Sequence, residues 1–400
     1  MQLKLKVKNI PMLLISCGFF ITMYSFRHTI SPYWAGFNIL VWFGLFLLLK
    51  QKVAVSPMIS MKSGKDIVLL LYFLLVVANF FYVRGNGWEI DGKIMRLFSF
   101  VVPLLFVYIK FIQKDLHDEA VRIWYLFLKV VCYTMNVVWF LDLLLDGLIQ
   151  KSIVSFYNTA SLEDALKGER YVSFYGHPLE SVMIYLAFLV WTLILLKTKT
   201  RKTNSILDIA MAFLGIAICG SKSGLLLAAV LVVVCLCGVK NLKYMIGILV
   251  IVLLLYYLGV FDMVVHRFVT SIEMGDLSTT RNKYVALLIS NGTLEFNWLS
   301  GHTFVRETEG MTAALEYPVL SFAFICGILF TILIYIGYFI IPAIKVFKSK
   351  SLNYIACFGA FAIYVQGNNG ICSSNDDMLF YAINTVLILE CIRFEKSWRG

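Results

Sequence analysis

The chain has 400 residues, of which 60% are apolar and 15% charged, and its mean hydropathy is +0.82. Soluble domains usually carry about 25% charged residues, so this composition excludes an ordinary soluble domain and describes an integral membrane protein, in which the bilayer replaces a large soluble core. The net charge of +11 would suggest nucleic acid in a soluble chain, but its distribution along the sequence marks a membrane face instead, and no nucleic-acid partner is expected.

The expected fold is all-α: a single polytopic domain over residues 1–400 with about twelve transmembrane helices. In chain order the apolar runs are Ile10 to Phe26, Tyr33 to Leu49, Ile67 to Val83, Ile94 to Ile112, Trp124 to Gly147, Leu179 to Leu196, Ser205 to Cys219, Ser223 to Val239, Tyr244 to Phe261, Tyr317 to Ile344, Leu352 to Val365 and Met378 to Ile392. The first follows Lys4, Lys6 and Lys8 as a signal peptide would, but no small-residue cleavage site follows, so it is expected to be retained. The pair flanking Gly220 to Gly224 is short enough to form either two spans or a re-entrant hairpin. Eight of the nine cysteines lie in or at the ends of apolar runs, and Cys372 alone is expected outside, so no disulfide framework is indicated.

With the N-terminus inside and the sides alternating, 23 of the 35 basic residues and 7 of the 24 acidic ones fall on the cytoplasmic face, leaving the faces at +16 and −5. Both termini are then cytoplasmic and the protein is a multi-pass component of the inner or plasma membrane. Two external loops are long: residues 148–176, and the 55 residues of 262–316, expected to hold one short amphipathic helix. No half-to-half repeat or low-complexity segment is visible.

Three external clusters carry candidate chemistry. In the first loop Glu169-Arg170-Tyr171-Val172-Ser173-Phe174-Tyr175-Gly176-His177-Pro178 leads into the sixth run, with proline at a position that suits a first helical turn. Arg170 and His177 there either face an anionic substrate or serve as a snorkelling arginine and a capping histidine. The second cluster, Gly220-Ser221-Lys222-Ser223-Gly224, places a cation among serines at a helix start, where free N–H groups suit phosphate; it lacks P-loop spacing, and the plainer reading is a tight turn with an interfacial lysine. The third is a helix expected over Asp276 to Asn291, with Asp276, Ser278 and Thr279 as caps, Tyr284, Val285, Leu288 and Ile289 as its apolar stripe, and Asn291-Gly292 as its end. Arg281 in its first turn opposes the helix dipole at ~0.3–1 kcal/mol, a hint that its charge serves something else. Gly301-His302, Arg306, Glu307, Glu309 and Glu316 follow; charge runs such as Arg306 to Glu309 are ordinarily just solvated.

The histidines are not at ligand spacing, so no metal and no cofactor are expected, and no nucleophile-elbow or cysteine-protease signature occurs. Asp142 and Asp146, four apart, share a helix face and either bind a cation, relay protons or reach interfacial water.

Over roughly Arg170 to Leu389 the order of these weak motifs resembles the Wzy-type polymerases of O-antigen and capsular polysaccharide and the related O-antigen ligases. The resemblance rests on Arg170 before Gly176-His177-Pro178, the Gly220-to-Gly224 segment, Arg281 with Gly301 downstream, and Glu316 ahead of a run containing Gly327. The family usually has arginine where Lys222 stands, and the ligases carry a histidine near Glu316 that is absent here. The resemblance implies a metal-independent glycosyltransferase that joins polyprenyl diphosphate-linked oligosaccharide repeat units on the outer leaflet. Arg170 and Arg281 would stabilise the leaving diphosphate with Lys222 as helper, Glu316 or His302 would accept the proton, and His177, Ser221, Ser223 and Arg306 would contact substrate. Its partners would be the lipid-linked oligosaccharide, the bilayer, and the flippase and chain-length regulator of the same pathway. A lipid-linked oligosaccharide flippase or other secondary transporter, an O-antigen ligase and a membrane scaffold are the alternatives. A transporter would place ionisable groups midway through the bilayer, where Lys129 is the clear basic residue.

Overall fold

The computed structural model describes residues 9–21, 39–50, 55–57, 64–83, 97–157, 170, 171, 173, 178–198, 205–237, 242–275, 281–302, 310, 311, 315–367 and 377–396. They are overwhelmingly helical, as the apolar runs require. Three helices are long and apolar enough to cross a membrane: Lys114–Leu144, Pro178–Lys197 and Ile328–Phe347. Seven further apolar helices of 10–17 residues coincide with expected runs.

Two compact units emerge. The first takes Met1–Leu48, Asp115–Thr270 and Ser349–Tyr364; the second takes Leu49–Lys114, Ser271–Lys348 and Val365–Gly400.

The first unit contains α1 (Ile10–Ile21), α2 (Ile39–Lys50), α5 (Lys114–Leu144), α6 (Leu148–Tyr157), α7 (Pro178–Thr198), α8 (Ser205–Ile218), α9 (Lys222–Leu236), α10 (Leu242–Tyr257), most of α11 (Asp262–Glu273) and most of α16 (Leu352–Gly367). Helix α7 is apolar on every face because it is central: 83% of its span is buried, with α8 and α9 packed on it. Gly215 lets α8 approach α7, since a Cβ there would lie 2.0 Å from the Tyr185 ring. The Tyr185 hydroxyl donates to Asn136 Oδ1 at 2.7 Å, and Asn136 donates to the Met211 carbonyl at 2.8 Å, tying α5, α7 and α8 together. Asp208 of α8 is fully buried and accepts from Lys129 Nζ at 2.7 Å and from the hydroxyls of Tyr125 and Tyr133 at 2.6 Å each. Lys129, the clear basic residue deep in a span, is therefore paired with an acidic one.

The second unit contains β1 (Val55–Pro57), α3 (Gly64–Tyr82), a π turn at Leu97–Val101, α4 (Val102–Phe106), β2 (Ile109–Phe111), α12 (Arg281–Ser290), α13 (Pro318–Cys326), α14 (Ile328–Tyr335), a π turn at Ile336–Ile340, α15 (Ile341–Phe347) and α17 (Asp377–Lys396). The run expected as one helix over Ile94 to Ile112 is thus broken. Its end turns into a strand, and Val55, Ser56 and Pro57 pair antiparallel with Phe111, Lys110 and Ile109. The backbone of Phe111 is clamped by α17: its N–H donates to Glu390 at 2.7 Å and its carbonyl accepts from Arg393. The run over Tyr317 to Ile344 is interrupted twice, at Gly327 and at the second π turn. A π turn shifts the carbonyl ladder by one residue, and tyrosines take up the displaced carbonyls. Tyr72 donates to Leu333 O at 2.6 Å, Tyr108 to Gly337 O at 2.9 Å and Tyr381 to Tyr338 O at 3.2 Å. Where no water reaches the backbone, such partners decide whether an irregular turn survives.

Both long loops hold more structure than expected. The segment 148–176 opens with α6, whose first free N–H groups, of Ile149 and Gln150, donate to Asp142 at 2.7 and 3.2 Å. Asp142 is buried and acts as a helix cap, not as a water-facing partner of Asp146. The segment 262–316 contains two helices, α11 and α12, where one was expected.

Candidate functional site

In the first unit the chemistry gathers at the turn between α8 and α9. Helix α8 ends at Gly220, whose φ of +66° gives the left-handed cap that glycine adopts freely, with its N–H donated to Ala217 O at 2.9 Å. The carbonyls left over at this end attract cations: Arg170 Nε donates to Cys219 O at 3.2 Å, and Arg267 donates to Gly220 O. Helix α9 starts in the next residue. Ser221 is its N-cap, accepting from the Gly224 N–H at 3.1 Å, and Ser223 Oγ lies 3.4 Å from Ser221 Oγ. Lys222 stands in the first turn with its ammonium 6.0 Å from the centre of the Phe268 ring. The positive end of α9 and three cationic side chains therefore share one turn, a combination that favours an anion.

Arg170 is held in place by its neighbour. The Tyr171 N–H donates to Ile218 O at 3.1 Å and its hydroxyl to Met135 O at 3.0 Å. Burial pushes the Tyr171 phenol above its usual range, so it stays a neutral donor. Ser173, at φ +61°, donates its N–H to the Gln150 side chain of α6 at 3.1 Å. Arg267 escaped the sequence analysis because it sits in what read as loop. The signal was the apolar spacing of Phe261, Val264 and Phe268, which makes that stretch a helix with a buried face.

In the second unit α12 begins at Arg281, whose Nε and Nη2 both contact Oε2 of Glu316 across 35 positions of sequence. Beside them Tyr317 donates to Asn282 Oδ1 at 2.7 Å, so two consecutive residues on each side are matched. The pair is a quarter to a third exposed. Among the described residues Arg281 Nη1 and Glu316 Oε1 have no hydrogen-bond partner, which leaves donors on one side of the contact and an acceptor on the other. At its far end α12 closes as expected at Asn291-Gly292: Gly292, at φ +68°, donates to Ile289 O, and Thr293 donates to Leu288 O, the paired bonds of a Schellman cap.

The chain then runs to Gly301-His302 and fills the break between α13 and α14. The N–H groups of Ile328 and Leu329, orphaned at the start of α14, donate to Asn297 O and Trp298 O at 3.0 Å each, while the His302 N–H donates to Phe324 O at 2.7 Å. Gly327, at φ +89°, and Gly301, at φ +69°, meet at this crossing. A Cβ on Gly301 would fall 1.9 Å from Ile325 O, and one on Gly327 would fall 2.9 Å from the Leu299 carbonyl carbon. Gly301 and Gly327, both among the glycines the resemblance rests on, therefore let one backbone cross another. The imidazole of His302 stacks on Phe324 with ring centres 5.4 Å apart.

Of the expected site residues, Arg170, Ser221, Lys222 and Ser223 gather in the first unit, and Arg281 and Glu316 in the second, where His302 belongs to the helix break. His177 and Arg306 lie outside the described residues, as do the caps expected at Asp276, Ser278 and Thr279. Among the described residues no three His, Cys, Asp or Glu side chains gather as metal ligands would. Comparison with protein-family models, with curated proteins and with solved structures gives no match to this chain.

Proposed function

We propose that this chain is a polysaccharide polymerase: a metal-independent glycosyltransferase of the cell membrane that joins polyprenyl diphosphate-linked oligosaccharide repeat units on the outer leaflet. The observation that carries the reading is the Arg281–Glu316 contact, because it joins a guanidinium suited to a phosphate leaving group with a carboxylate suited to a hydroxyl proton. A sugar hydroxyl of one repeat unit attacks the anomeric carbon of the growing chain. The anomeric C–O bond breaks, its electron pair leaves with polyprenyl diphosphate, and the hydroxyl proton passes to Glu316 Oε1. Arg281 holds developing phosphate charge with the N–H groups that Glu316 does not use. In the first unit the cations of Arg170, Lys222 and Arg267 are proposed as a phosphate contact in their own right. About twelve spans with both termini cytoplasmic complete the proposal, supported by the asymmetry of basic residues.

The test is the lipid-linked glycan profile of a deletion strain. Single repeat units accumulating on the outer leaflet support the polymerase. Retention on the inner leaflet would support the flippase reading, whose best structural argument is the intramembrane Lys129–Asp208 pair. Reporter fusions after Lys202 and Lys350 are expected to read cytoplasmic, and those near Lys167 and Glu307 external. A cytoplasmic signal from the segment carrying Arg281 would sink the proposal.

A further inference from the structure

His302 is, with Glu316, a candidate proton acceptor on residue type, and its surroundings decide between the two neutral forms of its ring. Asn297 sets the environment of the ring. One terminal atom of its amide lies 2.9 Å from the N–H of Ser300 and 2.7 Å from the N–H of Gly301. Both are backbone donors, so that atom is the oxygen, and the orientation of the amide follows from the network. The other atom is then the nitrogen, with two hydrogens to place. It lies 3.0 Å from Gly301 O and 3.2 Å from Nε2 of His302. A carbonyl accepts only, so one N–H goes there, and the second is aimed at Nε2. A ring nitrogen that accepts carries no proton. The neutral ring must therefore hold its proton on Nδ1.

The ring has little freedom to escape this assignment. Its backbone N–H is bound to Phe324 O, its face is stacked on Phe324, and the preceding Gly301 is wedged against Ile325 O with no room for a Cβ. The lone pair at Nε2 is thus engaged by Asn297, and Nδ1, which has no hydrogen-bond partner among the described residues, is a donor.

We infer that Asn297 locks His302 as the neutral Nδ1–H tautomer, so that His302 donates a hydrogen bond to an oxygen of the lipid-linked saccharide and does not accept its proton. This rests on the polymerase reading for the identity of the ligand, but the tautomer does not. Asn297 is a positioning residue, and Glu316 remains as the proton acceptor.

The chain carries five histidines, few enough for nitrogen-15 labelling in detergent or nanodiscs, with the His302 signal identified by its loss in His302→Asn. Long-range nitrogen–proton correlations separate the two tautomers and the charged ring. The expected result at neutral pH is His302 protonated on Nδ1 alone. Asn297→Asp keeps shape and the two backbone acceptor bonds but presents an oxygen to Nε2, so the ring should shift to an Nε2–H or charged form. A wild-type ring protonated on Nε2, or an Asn297→Asp ring identical to wild type, overturns the lock. The donor role is read in purified turnover of the single repeat unit that accumulates in a deletion strain. His302→Asn retains an amide N–H in place of Nδ1–H and should stay within about threefold of wild type, whereas His302→Ala should lose ~10-fold, the loss of one ordinary hydrogen bond. A general base would make Asn and Ala fall alike by ~10²-fold or more, and that outcome overturns the donor role while leaving the tautomer standing. Absence of turnover in the wild type overturns the polymerase reading and leaves the nitrogen spectrum as the judge of the lock.

Discussion

Each unit holds an ion pair made across a long stretch of sequence, Lys129–Asp208 in the first and Arg281–Glu316 in the second, and the two are built in opposite ways. Asp208 is fully buried and receives three donors, from Lys129, Tyr125 and Tyr133, so both carboxylate oxygens are used. Glu316 is 34% exposed and its contact with Arg281 uses one oxygen. Burial with full satisfaction makes a charge expensive to disturb and leaves it nothing to offer a ligand. Partial exposure with one open oxygen makes a pair cheap to disturb in stability and useful to a substrate. On this contrast the first pair is built as structure, and the second is the one left open for the proposed chemistry, although both place an acidic residue beside a basic one.

The largest effect tests the buried pair. Asp208→Ala leaves an ammonium and two phenols without their shared acceptor, and is expected to cost ~3–5 kcal/mol, seen as lost folded yield and a lowered unfolding midpoint in detergent. In the same measurement Arg281→Ala should cost under ~1 kcal/mol. Equal destabilisation by the two variants would erase the contrast.

The exposed pair should respond in turnover instead. Glu316→Gln keeps size and much of the hydrogen bonding while removing basicity, and is expected to lose ~10²–10⁴-fold in a purified polymerisation assay with little change in unfolding. Arg281→Ala should abolish polymer, and Arg281→Lys should rescue it poorly, because an ammonium keeps the charge but cannot hold a carboxylate and a phosphate on two edges at once. Near-normal turnover in both Glu316→Gln and Arg281→Lys would mean that the pair only fastens α12 to the start of α13.

A smaller effect is expected where the backbone crosses itself. Gly301→Ala forces an L side chain into a left-handed conformation worth ~1–3 kcal/mol of strain and against Ile325 O. The N–H groups of Ile328 and Leu329 lose their carbonyl partners if the crossing opens, so the change should appear as faster amide exchange there before global unfolding. Unchanged exchange would show that the break in this helix is held from within α13 and α14.

These particulars also show where sequence reasoning runs out. Apolar runs locate helices because a chain in lipid must satisfy its own backbone, and the Schellman end of α12 follows from Asn291-Gly292 because only local geometry is involved. The interruption at Gly327 is different. Nothing within Pro318 to Tyr335 says that carbonyls from residues 297 and 298 will serve the first N–H groups of α14, so an apolar stretch with one glycine reads as a continuous span. The end of the run at Ile109–Phe111 becomes a strand for the same kind of reason, since its partners, Val55–Pro57 on one side and Glu390 and Arg393 on the other, are remote in sequence. For the candidate site, residue type identified Arg170, Arg281 and Glu316, and their long-range partners were invisible. Asn297 gave no signal at all, because an amide in a loop acquires meaning only from the atoms it faces.

The smallest effect concerns Ser221, whose residue type fits both a phosphate contact and a helix cap. Its hydroxyl accepts from the Gly224 N–H at 3.1 Å and the residue is buried, so the cap is the role with a partner already in place. Removing a capping hydroxyl costs ~0.5–2 kcal/mol, typically about 1. Ser221→Ala should therefore lower the unfolding midpoint modestly and reduce polymer only as far as it reduces folded protein. Ser221→Asn, whose side-chain oxygen can accept the same N–H, should restore the midpoint. The two roles separate in the assay per folded molecule: a cap predicts wild-type turnover for both variants, whereas a hydroxyl that grips phosphate predicts a loss in Ser221→Ala that Asn does not repair. In the second case Ser221 would join Arg170, Lys222 and Arg267 in the phosphate contact proposed for the α8–α9 turn, and its hydroxyl would count as chemistry as well as cap.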